Sequence, residues 1–104
     1  MRLWLDDVRP APEGWTWVRT TEEAIAALRT GTVTEASLDH DLGEGVEEGY
    51  AVCLWMAEHG VWPPEGITIH SANVPAGDRM AGVVERYGPY RRLPGRLRFV
   101  PPSS

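Results

Sequence analysis

Three short apolar runs in this chain stop on the same kind of residue. Arg2–Leu5 ends at Asp6-Asp7, Val33–Leu38 ends at Asp39-His40-Asp41, and Ile67-Thr68-Ile69 ends at His70-Ser71. Runs of this kind, closed by polar residues, read as buried strands. Segments of helical character lie between them. Thr20 and Glu23 have the spacing of a capping box, Ala24, Ile25 and Leu28 form one apolar stripe, and Gly31 stands where a helix would stop. Gly43–Gly49 is an acidic, glycine-rich loop. Tyr50–His59, almost continuously apolar and closed by Gly60, reads as a buried helix. Pro75 fits the first turn of a third helix, in which Met80, Val83, Val84 and Tyr87 fall at i, i+3, i+4 and i+7 before Gly88-Pro89 ends it. Trp15–Arg19 suits an edge strand and Leu97–Val100 a last one. Strands alternating with helices imply an α/β fold with a parallel sheet. The first two strands are joined only by a loop holding Pro10, Pro12 and Gly14, shorter than a helical crossover. That connection is either a wide hairpin or a parallel crossover without a helix.

A chain of 104 residues is expected to form a single domain, residues 1–104. Its one cysteine, Cys53, excludes an internal disulfide framework and a thiolate zinc cluster, and reads as a core residue. No apolar stretch is long enough for a membrane span. The opening MRLWLDD has acids where a leader would be apolar, so the expected location is cytoplasmic. Charge is uneven: residues 1–78 carry four arginines and fourteen acids, whereas residues 79–104 carry six arginines and Glu85 alone. This balance argues against a general nucleic-acid binder and leaves room for a local anion-binding surface. The chain has no lysine.

Open α/β sheets bind ligands beyond the carboxyl ends of their strands, and the polar residues concentrate there. Asp6 and Asp7 close the first strand, Asp39, His40 and Asp41 the third, and His70, Ser71 and Asn73 close or follow the fourth. If these strands are neighbours, the carboxylates repel one another and call for protons or a divalent cation such as Mg²⁺, Mn²⁺ or Ca²⁺. Taken singly, an Asp at a strand end is more often a turn former. Three such ends together favour a site.

At these positions the chain resembles the receiver domains of two-component signalling. Asp6-Asp7 match the acidic metal-binding pair, Asp39 the phosphoacceptor, Leu42-Gly43 and Gly49 the residues that follow it, and Ser71 the Ser/Thr position. The resemblance implies a three-layer, five-stranded parallel sheet in the order 2-1-3-4-5, with the first helix replaced by a loop. Receivers also carry a lysine after the last strand, where Val100-Pro101 stands here, and this departure argues against ordinary phosphorelay. LWLDDVRPAP (Leu3–Pro12), SLDHDLG (Ser37–Gly43) and HSANVPAG (His70–Gly77) resemble a divergent branch more closely, the cyclic-phosphate-processing receiver domain.

That resemblance implies hydrolysis of a cyclic phosphate on a nucleotide or RNA end, with a divalent cation, Mg²⁺ or Mn²⁺ foremost. Asp6, Asp7, Asp39 and Asp41 would serve the metal. Asp39, His40 and His70 would be catalytic, the two histidines sharing acid and base roles with pKa values raised by the carboxylates around them. Arg9, Ser71 and Asn73 would hold the phosphate. The competing reading is an atypical receiver acting as a signalling or interaction module, with a partner protein and with Asp39 as phosphoacceptor. A non-catalytic nucleotide binder is a third. Plainer roles also exist: His40 as a strand-end hydrogen-bonder, His70 as a satisfied core residue, Arg9 as an ion-pair partner of Asp6 or Asp7. Trp4, Trp17 and Trp55 read as core. Trp15 and Trp62 are core or a base-stacking wall, Arg91, Arg92, Arg96 and Arg98 a solvated basic surface, and His59 a cation at a helix C-terminus.

Overall fold

The computed structural model describes residues 1–39, 48–70, 74–94 and 97–102. Strands β1 (Arg2–Leu5) and β2 (Trp15–Val18) are followed by helix α1 (Thr21–Arg29), strand β3 (Glu35–Leu38), helix α2 (Glu48–His59), strand β4 (Ile67–Ile69) and helix α3 (Val74–Tyr87). Two short strands close the fold, β5 (Arg91–Arg92) and β6 (Arg98–Val100). Thr20 caps α1 as its spacing predicts: the residue is extended and its hydroxyl oxygen accepts from the Glu23 N–H at 3.2 Å. Gly31 and Gly60 follow α1 and α2 with φ of 75° and 66°, the left-handed conformation that glycine adopts without penalty.

The six strands form one mixed sheet in the order β2-β1-β3-β4-β6-β5. β1 pairs in parallel with both β2 and β3, and β3 with β4. The connection between β1 and β2 is therefore the parallel crossover without a helix. The fifth position departs from the expected parallel strand: β6 runs antiparallel to β4, and β5 pairs with β6 at the sheet edge. Chain length explains the reversal. The few residues between β5 and β6 suffice for a hairpin and fall short of a crossover, and the hairpin sets Phe99 inside while leaving Arg91-Arg92 on the outer edge. Charged edge strands discourage further pairing. The end of β6 nearest the fourth strand's carboxyl terminus is its start, since the Ile69 N–H donates to the Leu97 carbonyl at 2.9 Å. Val100, where receivers would place lysine, lies at the opposite end.

The layer count also differs from the three expected. α2 packs against both α1 and α3, so the helices lie side by side. Right-handed crossovers that all step the same way across a sheet leave their helices on one face. That face carries Leu3, Leu5, Val18, Ala36, Leu38, Ile67, Ile69 and Phe99, buried against Leu28, Val52, Cys53, Met56, Met80 and Val84. Burial pushes the Cys53 thiol up to about 12, so it stays an inert core group. Tyr87 leaves the apolar stripe of α3 and is 55% exposed.

The opposite face is roofed by its own long side chains. The guanidinium of Arg2 lies 5.8 Å from the Trp15 ring centre and that of Arg19 5.2 Å from Trp17, while Trp4 and Trp15 meet edge to face at 6.1 Å. Glu35 pairs with Arg98 at 3.1 Å and with Arg2 at 3.7 Å. Aromatic rings and arginine stems thus cover sheet surface that a helix would otherwise cover. Trp17 belongs to this roof and is 38% exposed, not a core residue. No helix among the described residues is long and apolar enough to cross a membrane.

Candidate metal centre

The sheet itself brings three of the sequence-predicted residues together. Each parallel ladder runs one residue beyond its strand: the Asp6 N–H donates to Val18 O at 3.1 Å, Asp39 N–H to Leu5 O at 2.9 Å, and His70 N–H to Leu38 O at 3.0 Å. Asp6, Asp39 and His70 therefore stand abreast at the carboxyl ends of β1, β3 and β4. Alternation along a strand turns them to the face of Trp4, Ser37 and Thr68 rather than into the core. One ligand atom from each lies within 4.8 Å of the other two.

Asp6, only 1% exposed, is the most constrained of the three. Its Oδ1 accepts from the backbone N–H groups of Val8 at 2.9 Å and Arg9 at 2.8 Å, and its carbonyl accepts from the Trp17 indole at 2.7 Å. Oδ2 is turned to His70 Nε2 at 3.2 Å. Burial alone would push this carboxyl up, but the two backbone donors and the His70 ring outweigh it and hold the group below its ordinary value. The loop after β1 thus keeps Asp6 ionised, with Oδ1 held by the backbone and Oδ2 turned toward His70.

His70 departs from expectation in its protonation. Burial favours the neutral ring more than the Asp6 carboxylate favours the charged one, and Arg9 adds to the effect, so its pKa lies below the ordinary histidine value instead of above it. At neutral pH the ring is an uncharged nitrogen donor. Nδ1 lies 2.6 Å from the Ser37 hydroxyl, and Trp4 stacks on the ring with centres 3.9 Å apart and planes 9° from parallel.

Asp39 is buried, and α2 is seated directly against it. A Cβ on Gly49 would fall 2.2 Å from the Asp39 carbonyl oxygen and 2.9 Å from Met80 Cε, so only glycine allows this approach. Asp7 does not share the convergence: it is half-buried, and its carbonyl accepts from Arg19 at 2.8 Å. Arg9 is exposed and contributes its backbone, donating to Asp6 and accepting from the Trp4 indole at 3.0 Å. His40, Asp41, Ser71 and Asn73 lie outside the described residues.

Two carboxylates and a neutral imidazole form a donor set that fits a divalent first-row ion such as Mn²⁺, with nitrogen less suited to Mg²⁺. Sequence reasoning missed Ser37 and gave Trp4 only a core role, while Gly49 was marked by the receiver resemblance without its contact to Asp39. The first carried a faint signal, a hydroxyl inside an apolar run two residues before Asp39 and hence on the same face.

Comparison with curated proteins and with solved structures returned no match. The model of one family, the cyclic-phosphate processing receiver domain, matches residues 1–86, a span containing all three converging residues and most of the sheet, and the chain belongs to that family.

Proposed function

We propose that the protein hydrolyses a cyclic phosphate carried by a nucleotide or an RNA end, with a divalent cation held by Asp6, Asp39 and His70. The observation that carries this reading is the convergence of those three ligand atoms within 4.8 Å, in a chain of a family linked to cyclic-phosphate processing. A bound cation would supply charge for the phosphorane and a more acidic water. The remaining work falls to the chain. Water adds to phosphorus, one ring P–O bond breaks, and the products are a phosphomonoester and a free hydroxyl. That requires a base for the water proton and an acid for the leaving oxygen. His40 is assigned the acid or base role, with His70 sharing it or serving the cation. Arg9, Ser71 and Asn73 are assigned to the phosphate oxygens, and Asp7 and Asp41 to support of the metal. The exposed Arg9 side chain follows a backbone fixed by Asp6, which suits a phosphate clamp.

The test is incubation with 2′,3′-cyclic and 3′,5′-cyclic nucleotides and Mn²⁺ or Mg²⁺, followed by phosphorus NMR. Turnover should fall by about two orders of magnitude or more in Asp39→Asn and His70→Gln. Absence of turnover across the panel, with Asp39 instead accepting a phosphoryl group from acetyl phosphate, would establish the signalling alternative.

A further inference from the structure

Ser37 sits in the middle of β3, 3% exposed, paired in register with Trp4 on one side and Thr68 on the other. Nothing in the scheme above uses it, yet its hydroxyl makes the 2.6 Å contact to His70 Nδ1. The other sides of that ring are also taken. Trp4 covers one face and is itself pinned by its indole N–H to the Arg9 carbonyl at 3.0 Å, while Asp6 Oδ2 faces Nε2 at 3.2 Å. The ring has one orientation, and what stays variable is which nitrogen carries the proton.

The partners differ in what they can accept. An ionised Asp6 only accepts, so without a cation Nε2 must carry the hydrogen, and Nδ1 must take one from Ser37. With Nε2 serving a divalent cation, that nitrogen's electron pair would be engaged and the proton would reside on Nδ1, facing Ser37. A carbonyl at this position could serve only the second arrangement. A hydroxyl serves both, because it donates in one and accepts in the other.

We infer that Ser37 is the positioning residue of the site: its hydroxyl holds His70 as the Nε2–H form toward Asp6 and, by rotating, as the Nδ1–H form when Nε2 binds a divalent ion. In the change a proton leaves Nε2 for solvent and another arrives at Nδ1 from solvent, so the ring keeps zero charge and its place. The second half of this inference rests on the cation reading above; the first half does not. Partners of this kind behind a metal-bound histidine orient the ring and tune its basicity, and their loss typically costs about 10- to 100-fold in metal affinity.

The experiment uses the full chain labelled with ¹⁵N-histidine, with His70→Gln assigning the His70 signals among the three histidines. Zn²⁺ serves as a diamagnetic probe, and its affinity is measured by calorimetry. The metal-free spectrum should show His70 as Nε2–H, and Zn²⁺ should convert it to Nδ1–H. Ser37→Ala should mix the metal-free tautomers and weaken Zn²⁺ binding by about 10- to 100-fold, and Ser37→Thr should restore both. An Nδ1–H form before metal is added overturns the inference, as does a Ser37→Ala protein with unchanged tautomer and affinity. If the wild-type protein binds no Zn²⁺, the cation reading and the switch fail together, while the effect of Ser37→Ala on the metal-free tautomer still decides whether Ser37 sets the ring. An Nδ1–H form in the wild-type metal-free spectrum overturns the inference even if Ser37→Ala does not fold.

Discussion

Alanine at Gly49 and alanine at Gly82 should change stability in opposite directions, although the chemical change is the same. Both glycines are helical, Gly49 near the start of α2 and Gly82 within α3. Replacing a helix-interior glycine by alanine ordinarily gains about 0.8–1.0 kcal/mol, since the glycine backbone loses more freedom on folding. Gly82 is exposed and a Cβ there meets nothing within 4 Å, so Gly82→Ala should realise most of that gain. At Gly49 the new Cβ would lie 2.2 Å from the Asp39 carbonyl oxygen, and relieving the clash moves α2 or the end of β3 by roughly 1 Å at a cost of about 1–3 kcal/mol. The propensity gain is smaller near a helix start, so the net effect is a loss of about 0.5–2 kcal/mol. For a domain of this size each kcal/mol moves the midpoint by roughly 4–8 °C, which thermal unfolding resolves easily. The same displacement shifts Asp39 relative to Asp6 and His70, so Gly49→Ala should also weaken Mn²⁺ binding, while Gly82→Ala leaves it unchanged. Equal stabilisation by both substitutions, with metal binding intact, would refute the packing of α2 against Asp39.

Two further predictions concern folding. His70 and Asp6 both titrate below their ordinary values in the folded chain, so across those windows the unfolded chain binds more protons and acid favours unfolding. Stability is fully present above the ordinary histidine value of about 6.5, falls as pH drops through it toward the lower folded value, and falls again below the usual aspartate range. Urea midpoints against pH should show both declines, His70→Gln should abolish the upper one, and a wild-type midpoint that rises on mild acidification contradicts the burial argument. Thr20→Ala should cost about 1 kcal/mol by removing the acceptor for the Glu23 N–H, and Thr20→Ser should recover most of it. Equal denaturation midpoints for Thr20→Ala and the wild type would show that the cap contributes nothing.

What could be read from the residues alone was whatever depends on neighbours along the chain. The helix start at Thr20, the stops at Gly31 and Gly60, and the closure of β1, β3 and β4 on Asp6, Asp39 and His70 follow from local spacing. In-register parallel pairing of those strands then makes the three residues neighbours, so the centre of the site was legible. Properties set by contacts across the sheet were not. The single helix layer depends on the direction of every crossover, and the antiparallel β6 on how the last residues compete for the edge beside β4. Uncharged His70 reflects burial beneath Trp4 and beside Ser37, residues 66 and 33 positions away along the chain. Carboxylate spacing in the sequence pointed to the opposite protonation, because desolvation is a property of packing. Sequence determined which side chains crown the sheet. Only the tertiary structure decided how each is ionised, which partner fixes its ring, and how closely α2 presses upon Asp39.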